Sequence, residues 1–157
     1  MRIGHGIDVH AFSTSPDRAL WLGLVQVPDA PGLEGHSDAD VATHALCDAL
    51  LGAANLGDLG RHFPDDDPRS LAVASRRLLE GTMELVRAAG FDVLSADVTI
   101  MAERPKLAPL MPTMSHELSE VVGAVVSVKA TTLEGLGALG RGEGIGASAV
   151  VLLEETP

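Results

Sequence analysis

The 157-residue sequence predicts a single α/β domain (an α+β sandwich), in which helices pack on one face of a mixed β-sheet. Two observations carry this prediction. Alternating apolar segments are interleaved with longer amphipathic segments, and no linker, repeat or low-complexity segment divides the chain. Hydrophobic residues make up 46% of the chain but aromatic residues only 3%, so an aliphatic core is expected. This high proportion of hydrophobic residues also suggests that part of the protein surface is buried between subunits.

The first strand is predicted over residues 2–10, where two alternating sets of side chains share the faces: Ile3, His5, Ile7, Val9 and Gly4, Gly6, Asp8, His10. His5 is expected to be a core histidine because it belongs to the apolar set. The glycines leave room for close approach beside the polar pair. Residues 11–18 predict a loop, residues 20–27 predict short strands, and residues 28–32 predict a turn.

Helices are expected after this first region. Ser37 and Asp40 have capping-box spacing, which predicts a helix beginning near Asp38. A second amphipathic helix is predicted over residues 70–89, stopped by Gly90, and a third over residues 107–122. Strands are predicted over residues 91–102, 125–130 and 145–153, with a glycine-rich stretch over residues 135–146 before the last strand.

Asp8 and His10 are candidate metal ligands, because residues two apart on a strand point to the same side. A third ligand from a helix would complete the kind of three-ligand site that leaves zinc an open position. His44 is the candidate, since it lies with Asp40 and Asp48 on a row beside the apolar stripe. Two interpretations stay open at this point. The row faces the end of the strand, or it is an ordinary solvated face.

Charge and composition narrow the function classes. The net charge of −11 argues against nucleic-acid binding, which requires a basic surface. No apolar run reaches the roughly 18 residues of a membrane span, and no signal-peptide hydrophobic region follows Met1. Cys47 is the single cysteine and cannot form an internal disulfide, which fits a reducing cytoplasm. We expect it to be a small buried helix residue and not a nucleophile. The run from Asp65 to Asp67 is either a cation site or a solvated turn.

Six ordered motifs cover nearly the whole chain: residues 2–12, residues 36–41 with His44, residues 57–60 leading to 63–65, residues 102–106, residues 129–132 with Glu134, and residues 140–145. In this order they resemble the 2-C-methyl-D-erythritol 2,4-cyclodiphosphate synthase family of non-mevalonate isoprenoid biosynthesis. The resemblance implies a homotrimer with active sites between subunits. It also implies metal-dependent cyclisation of a cytidine-diphosphate-linked methylerythritol 2-phosphate, with release of cytidine monophosphate (CMP).

The resemblance also implies roles for individual residues. Zn²⁺ or another divalent metal is expected at Asp8, His10 and His44, and Mg²⁺ or Mn²⁺ at Glu134 with the substrate diphosphate. His36 and Thr132 match positions that stabilise the transition state. The expected substrate-binding residues are Ser37, Asp58, Gly60, Phe63, Asp65, Asp67, Ala102, Pro105, Lys106, Leu107, Ala130, Thr131 and Arg141. Arg141 either faces the central channel of the trimer or forms a local ion pair in a tight turn.

Three departures from the family pattern touch no proposed metal ligand. Ala138 stands where relatives often carry Phe, Leu133 replaces a commonly polar residue, and the pair Glu103-Arg104 is bulkier than usual. Two other functions use the same features. A divalent-metal hydrolase would use water as the attacking group, and a non-catalytic trimer would bind an isoprenoid diphosphate or store metal.

Overall fold

The computed structural model describes residues 1–35, 37–64 and 74–156. The strands in these ranges are β1 (Arg2–Ala11), β2 (Ala19–Leu22), β3 (Val25–Pro31), β4 (Phe91–Met101), β5 (Val125–Thr131) and β6 (Gly144–Glu155). The helices are α1 (Val41–Ala53), α2 (Leu59–His62), α3 (Ser75–Ala88), α4 (Met111–Val122) and α5 (Gly137–Gly140). No helix in these ranges has the length and apolar character needed to cross a bilayer.

Four strands form one mixed sheet in the order β1-β6-β4-β5, and β2 pairs with β3 in a separate hairpin. Strand β6 is antiparallel to both β1 and β4, whereas β5 is parallel to β4. Strands β1, β4 and β5 therefore run in the same direction and end at the same edge of the sheet. The mixed sheet with packed helices confirms the α/β prediction.

The strand register aligns one end of the sheet across all four strands. Asp8 pairs with Ala147, Ala147 pairs with Ile100, and Ile100 pairs with Ala130. This row spans three inter-strand spacings, or about 14 Å. Side chains at the carboxyl ends of β1 and β5 thus lie at the same end of the sheet but on its two outer strands.

Helix α1 packs directly on the glycines of β1. A Cβ atom added to Gly6 would lie 2.1 Å from the carbonyl oxygen of Ala45, and one added to Gly4 would lie 1.9 Å from that of Ala49. Both distances are far below any allowed contact, so only glycine permits this approach. The side chains of α1 are almost all buried as a result.

The expectation that His5 is a core residue is wrong. The face of β1 that carries His5 points away from the helices, and its Nε2 lies 2.9 Å from Ser148 Oγ at an exposed position. On the same face Ile3 is 75% exposed and Ile7 is 57% exposed. Burial does alternate along β1 as the sequence predicts, but the helices cover the glycine face because only that face lets α1 approach.

Helix α1 begins three residues later than the capping-box spacing predicts. Its N-cap is Asp40, whose side chain accepts hydrogen bonds from the Thr43 amide (3.0 Å) and the Thr43 hydroxyl (2.7 Å). Asp40 is fully buried and also accepts from the amides of Gly23 and Leu24, both at 2.8 Å. Its carboxylate therefore joins the turn between β2 and β3 to the start of α1. Ser37 instead accepts a hydrogen bond from the Ala39 amide (3.1 Å).

Other boundaries shift by a few residues. Strand β3 runs through the turn predicted at residues 28–32 and ends at Pro31. Helix α3 is described from Ser75, and the first residues of its predicted range lie outside the described part of the chain. The glycine-rich stretch contains the short helix α5, which the sequence did not predict.

Cys47 is buried as expected, and burial raises the pKa of its thiol to about 12.

Two glycine substitutions test the packing of α1 on β1. Gly6→Ala places a methyl group against the backbone of α1, and we expect it to lower the free energy of unfolding by about 1–3 kcal/mol. Gly52→Ala is the matched control. Gly52 lies on α1 itself, and a Cβ atom added there would meet nothing within 4 Å. That change should raise the free energy of unfolding by roughly 0.5–1 kcal/mol. Denaturant unfolding measures both, and equal effects would contradict the close contact.

Candidate active site

Asp8, His10 and His44 meet where the end of β1 faces the first turn of α1. Asp8 Oδ2 lies 3.2 Å from His10 Nε2 and 3.0 Å from His44 Nδ1. One potential ligand atom from each residue lies within 4.8 Å of the others, so the three could hold a metal ion together. The three predicted ligands are thus brought together as a possible metal site, and the row that carries His44 faces the strand end. It is not a solvated surface.

The donor set suits a divalent metal. One carboxylate and two imidazoles are typical zinc ligands, and three protein ligands leave a coordination position for a substrate oxygen. The orientation of the His10 ring is fixed by its Nδ1, which points away from the cluster and is hydrogen-bonded to the carbonyl oxygen of Glu34. The far nitrogen of His44, Nε2, lies 3.1 Å from Ser75 Oγ and 3.3 Å from Ser37 Oγ. Such outer contacts are characteristic of metal-binding histidines.

The electrostatics of the cluster favour a charged Asp8. Burial alone would raise the pKa of Asp8, but hydrogen bonds and charge interactions with His10 and His44 outweigh it and hold that pKa well below its usual range. The hydrogen bond to Asp8 raises the pKa of His10, and partial burial opposes the shift. A carboxylate that stays ionised offers the cluster a permanent negative ligand.

A cavity of about 250 Å³ adjoins the cluster. Its lining residues are Asp8, His10, Gly35, Ser37, His44, Asp48, Leu59, Gly60, Phe63 and Leu78. The structure therefore brings three predicted substrate-binding residues, Ser37, Gly60 and Phe63, to the metal cluster. Asp58 does not line the cavity; it caps α2 by accepting a hydrogen bond from the Arg61 amide (2.9 Å). The predicted residues His36, Asp65 and Asp67 lie outside the described residues.

Asp48 is a cavity residue that the motifs did not select. Its Oδ1 accepts a hydrogen bond from the Leu59 amide (2.8 Å) and so positions the start of α2 beside the cavity. Burial raises the pKa of Asp48, and the nearby carboxylates of Asp58 and Asp8 add to the shift. Its place one turn beyond His44 on the predicted polar row was the available sequence signal.

A second cavity, of about 270 Å³, lies at the ends of β4 and β5. It is lined by Ala102, Glu103, Pro105, Lys106, Leu107, Ala108, Met111, Ala130, Thr131 and Thr132. The predicted substrate-binding residues of two segments, 102–107 and 130–131, thus line one cavity, although their binding role stays a prediction. Glu103 links the segments, because its Oε1 accepts a hydrogen bond from the Leu133 amide (2.7 Å). Two departures from the family pattern are therefore in contact with each other.

The remaining predicted residues lie beyond β5. The Thr132 hydroxyl donates a hydrogen bond to Glu134 Oε1 (2.6 Å), and both residues are exposed. Glu134 has a left-handed backbone (φ 53°), which turns the chain after the strand. Arg141 Nε donates to Glu143 Oε1 (2.6 Å) across a turn that contains Gly142 at φ 72°. The local ion pair proposed for Arg141 is present, and its position in a channel stays a prediction.

The raised pKa of His10 has a consequence for metal binding. A metal at Nε2 must displace the proton that Asp8 stabilises there, so we expect Zn²⁺ affinity to fall as the pH is lowered towards and below the ordinary histidine value of about 6.5. Zn²⁺ titration against a chelator over this pH range measures the effect. His10→Gln should abolish tight binding, while His116→Gln, on the exposed face of α4, should leave it unchanged. A pH-independent affinity would contradict this assignment.

Comparison with known proteins identifies the family of this chain. A family model described as the YgbB family matches residues 1–154. The 2-C-methyl-D-erythritol 2,4-cyclodiphosphate synthase of Syntrophobacter fumaroxidans is 54% identical over 156 residues, which cover 98% of this chain and 97% of the relative.

Solved structures of similar proteins share the fold. A 2C-methyl-D-erythritol-2,4-cyclodiphosphate synthase in a CDP-bound form matches with a TM-score of 0.88 at 38% identity, over 98% of this chain and 100% of that one. The bifunctional IspDF of Campylobacter jejuni matches with a TM-score of 0.92 at 39% identity; the match covers 98% of this chain and 42% of that longer protein. The ordered motifs, the matching family model and the shared fold lead to one conclusion: this chain belongs to the YgbB family, that of the 2-C-methyl-D-erythritol 2,4-cyclodiphosphate synthases.

Proposed function

We propose that this chain converts 4-diphosphocytidyl-2-C-methyl-D-erythritol 2-phosphate to the 2,4-cyclodiphosphate and releases CMP. One observation carries the proposal. The cluster of Asp8, His10 and His44 opens onto a cavity at the same sheet edge as the pocket formed by residues 102–108 and 130–132. A relative with this fold has been solved with CDP bound, which is the nucleotide portion of such a substrate.

Asp8, His10 and His44 would hold a Zn²⁺ ion in this proposal. When bound, the ion would supply positive charge to the terminal phosphate of the diphosphate as a Lewis acid. The protein contributes a preformed site, because Asp8 is held between the two imidazoles and His10 is oriented by the Glu34 carbonyl. Ser37 borders the same cavity, and its hydroxyl is proposed to bind a phosphate or hydroxyl oxygen of the substrate.

Thr132 and Glu134 would act on the other side of the diphosphate. Glu134 has an exposed carboxylate, a hard oxygen ligand suited to Mg²⁺ or Mn²⁺. Such an ion would neutralise the charge of the two phosphates. The Thr132 hydroxyl is hydrogen-bonded to Glu134, and we propose that it turns to a phosphate oxygen when substrate binds. His36, together with Thr132, is proposed to stabilise the transition state. Asp58, Asp65 and Asp67 are proposed to hold the methylerythritol portion and its phosphate and hydroxyl groups.

The cytidine would occupy the second cavity. Small side chains such as Ala102 and Ala130 leave the backbone accessible to the polar edge of a pyrimidine. Lys106 lines the same cavity and supplies a cation for the adjacent phosphate. Pro105 and Leu107 would contact the flat faces of the base.

The reaction itself is a phosphoryl transfer within one molecule. An oxygen of the substrate 2-phosphate attacks the β-phosphorus, the bond from that phosphorus to the bridging oxygen breaks, and CMP leaves with the electron pair. No protein nucleophile is needed, since the main requirements are alignment of the reacting groups and neutralisation of charge. In these terms the enzyme is a cyclising, CMP-releasing phosphorus–oxygen lyase with one catalytic domain over residues 1–157, and we place it in the cytoplasm.

We further propose that the chain works as a homotrimer with active sites between subunits. The sheet face opposite the helices carries large exposed apolar side chains: Ile3, Ile7, Val9, Val125 and Val150. A monomer that left this face in water would lose the stabilisation that burial provides. The two cavities share no lining residue and lie on opposite flanks of the sheet, so a neighbouring subunit is proposed to supply the second half of each site.

Substitution of Asp8 tests the reaction. Asp8→Asn removes the charged ligand shared by both histidines, and we expect the turnover rate to fall by at least about 100-fold. Phosphorus NMR of the products with Zn²⁺ and Mg²⁺ should show coupled doublets of a cyclic diphosphate together with CMP, and chelation should abolish both. His116→Gln is the control. A linear product would favour the hydrolase, and a metal-loaded protein without turnover would favour the binding protein.

Substitution on the exposed sheet face tests the assembly. Val150→Glu places a charge at the centre of the apolar face, and we expect it to convert a trimer to monomers with loss of activity. Arg77→Glu adds negative charge on the exposed side of α3 and should leave the trimer intact. Light scattering after size exclusion measures the mass of each. A monomeric wild-type protein with full activity would exclude sites shared between subunits.

A further inference from the structure

Asp38 and Ser75 form a partly buried contact that no part of the proposed reaction uses. Ser75 is the first residue of α3 and is fully buried. The Asp38 carboxylate accepts two hydrogen bonds from it: Oδ2 from the Ser75 amide (2.9 Å) and Oδ1 from the Ser75 hydroxyl. An ionised carboxylate has only acceptors, so the direction of both hydrogen bonds is defined.

The hydroxyl of Ser75 also contacts the metal cluster. Its oxygen lies 3.1 Å from His44 Nε2. A serine hydroxyl has one hydrogen, and here that hydrogen is donated to Asp38. The oxygen can therefore only accept from His44, which requires a hydrogen on Nε2.

Ser37 offers a second contact that must be weighed against this one. Its oxygen lies 3.3 Å from the same Nε2 and accepts a hydrogen bond from the Ala39 amide. If Ser37 donated to an unprotonated Nε2, the oxygen of Ser75 and Nε2 would face each other with lone pairs alone at 3.1 Å. The contact with Ser75 is the shorter of the two, and the Ser75 hydroxyl already donates its hydrogen to Asp38. This combination favours a protonated Nε2.

A protonated Nε2 decides which atom of His44 faces the metal. Because Nε2 is engaged with Ser75, Nδ1 is the nitrogen left to coordinate a metal, and it lies inside the cluster, 3.0 Å from Asp8 Oδ2. The two histidines are thus held in the same manner, each through the nitrogen that points away from the cluster. His10 is held by a backbone carbonyl, that of Glu34, whereas His44 is held by side chains.

We propose that Asp38 and Ser75 are positioning residues for the metal site: a hydrogen-bond relay from His44 through Ser75 to Asp38 fixes the imidazole with Nε2 protonated and Nδ1 directed at the metal. This inference rests on the proposed metal site. Removing Asp38 or the Ser75 hydroxyl leaves the His44 ring free to rotate and to change tautomer. Metal binding would then have to order the ring, which lowers the metal affinity. Outer partners of this kind typically change metal affinity about 10- to 100-fold.

The relay also couples the site to the packing of the helices. Asp38 precedes α1, which carries His44, and Ser75 begins α3, whose N-cap Ala74 offers no side-chain cap. The Asp38 carboxylate thus supplies negative charge at the start of α3, where the helix dipole favours it. Correct docking of α3 against α1 is therefore required for the orientation of His44.

Ser75→Ala tests the relay, with Thr82→Val as its matched control. Both changes delete a buried hydroxyl group from α3, but Thr82 lies outside the site. We expect Ser75→Ala to weaken Zn²⁺ binding about 10- to 100-fold in chelator competition. Thr82→Val should bind as the wild type does, and Ser75→Thr, which keeps the hydroxyl, should recover most of the loss. Wild-type affinity in a folded Ser75→Ala protein would overturn the proposal.

A second measurement needs no variant. In wild-type protein with ¹⁵N-labelled histidine, long-range proton–nitrogen NMR identifies which nitrogen of His44 carries hydrogen. We expect hydrogen on Nε2 both with and without Zn²⁺, and Zn²⁺ contact at Nδ1. Zn²⁺ bound at Nε2 would overturn the relay even if every variant failed to fold. Lack of turnover with intact Zn²⁺ binding would instead count against the proposed reaction and leave the relay standing.

Discussion

The contact between the glycines of β1 and the backbone of α1 underlies the rest of the structure. Without side chains at Gly4 and Gly6, the helix lies directly on the strand. Asp8 and His10 continue the same face of the strand just beyond the helix contact, so His44 in the first turn of α1 meets them. The metal cluster is therefore a direct consequence of close backbone packing, and a larger helix–strand separation would pull its ligands apart.

The sheet explains why the functional residues fall into two groups. Parallel strands β1, β4 and β5 end at one edge, which gathers the metal cluster and the second cavity at the same end of the molecule. The antiparallel strand β6 lies between β1 and β4 and separates the groups across the sheet. The sheet face opposite the helices carries exposed apolar side chains, and in the proposed trimer a neighbouring subunit would bring the two groups together.

Electrostatics reconcile a net charge of −11 with a phosphorylated substrate. The carboxylates at the candidate site are engaged with the chain itself: Asp8 with two histidines, Asp48 with the Leu59 amide and Asp38 with Ser75. These acidic groups organise the site and attract cations. The substrate phosphates would then meet bound metal ions and Lys106, which lines the second cavity.

The sequence by itself determined the class of fold, the positions of the main strands and of helices α1, α3 and α4 to within a few residues, and the three candidate metal ligands. Local spacing placed Asp8 and His10 on one strand face, whereas the resemblance of the ordered motifs identified His44 as their partner. Tertiary structure alone decided which face of β1 is buried, because burial depends on which face the helix can approach. It alone revealed Ser75 at His44, since residues 31 positions apart are joined only when α3 docks on α1.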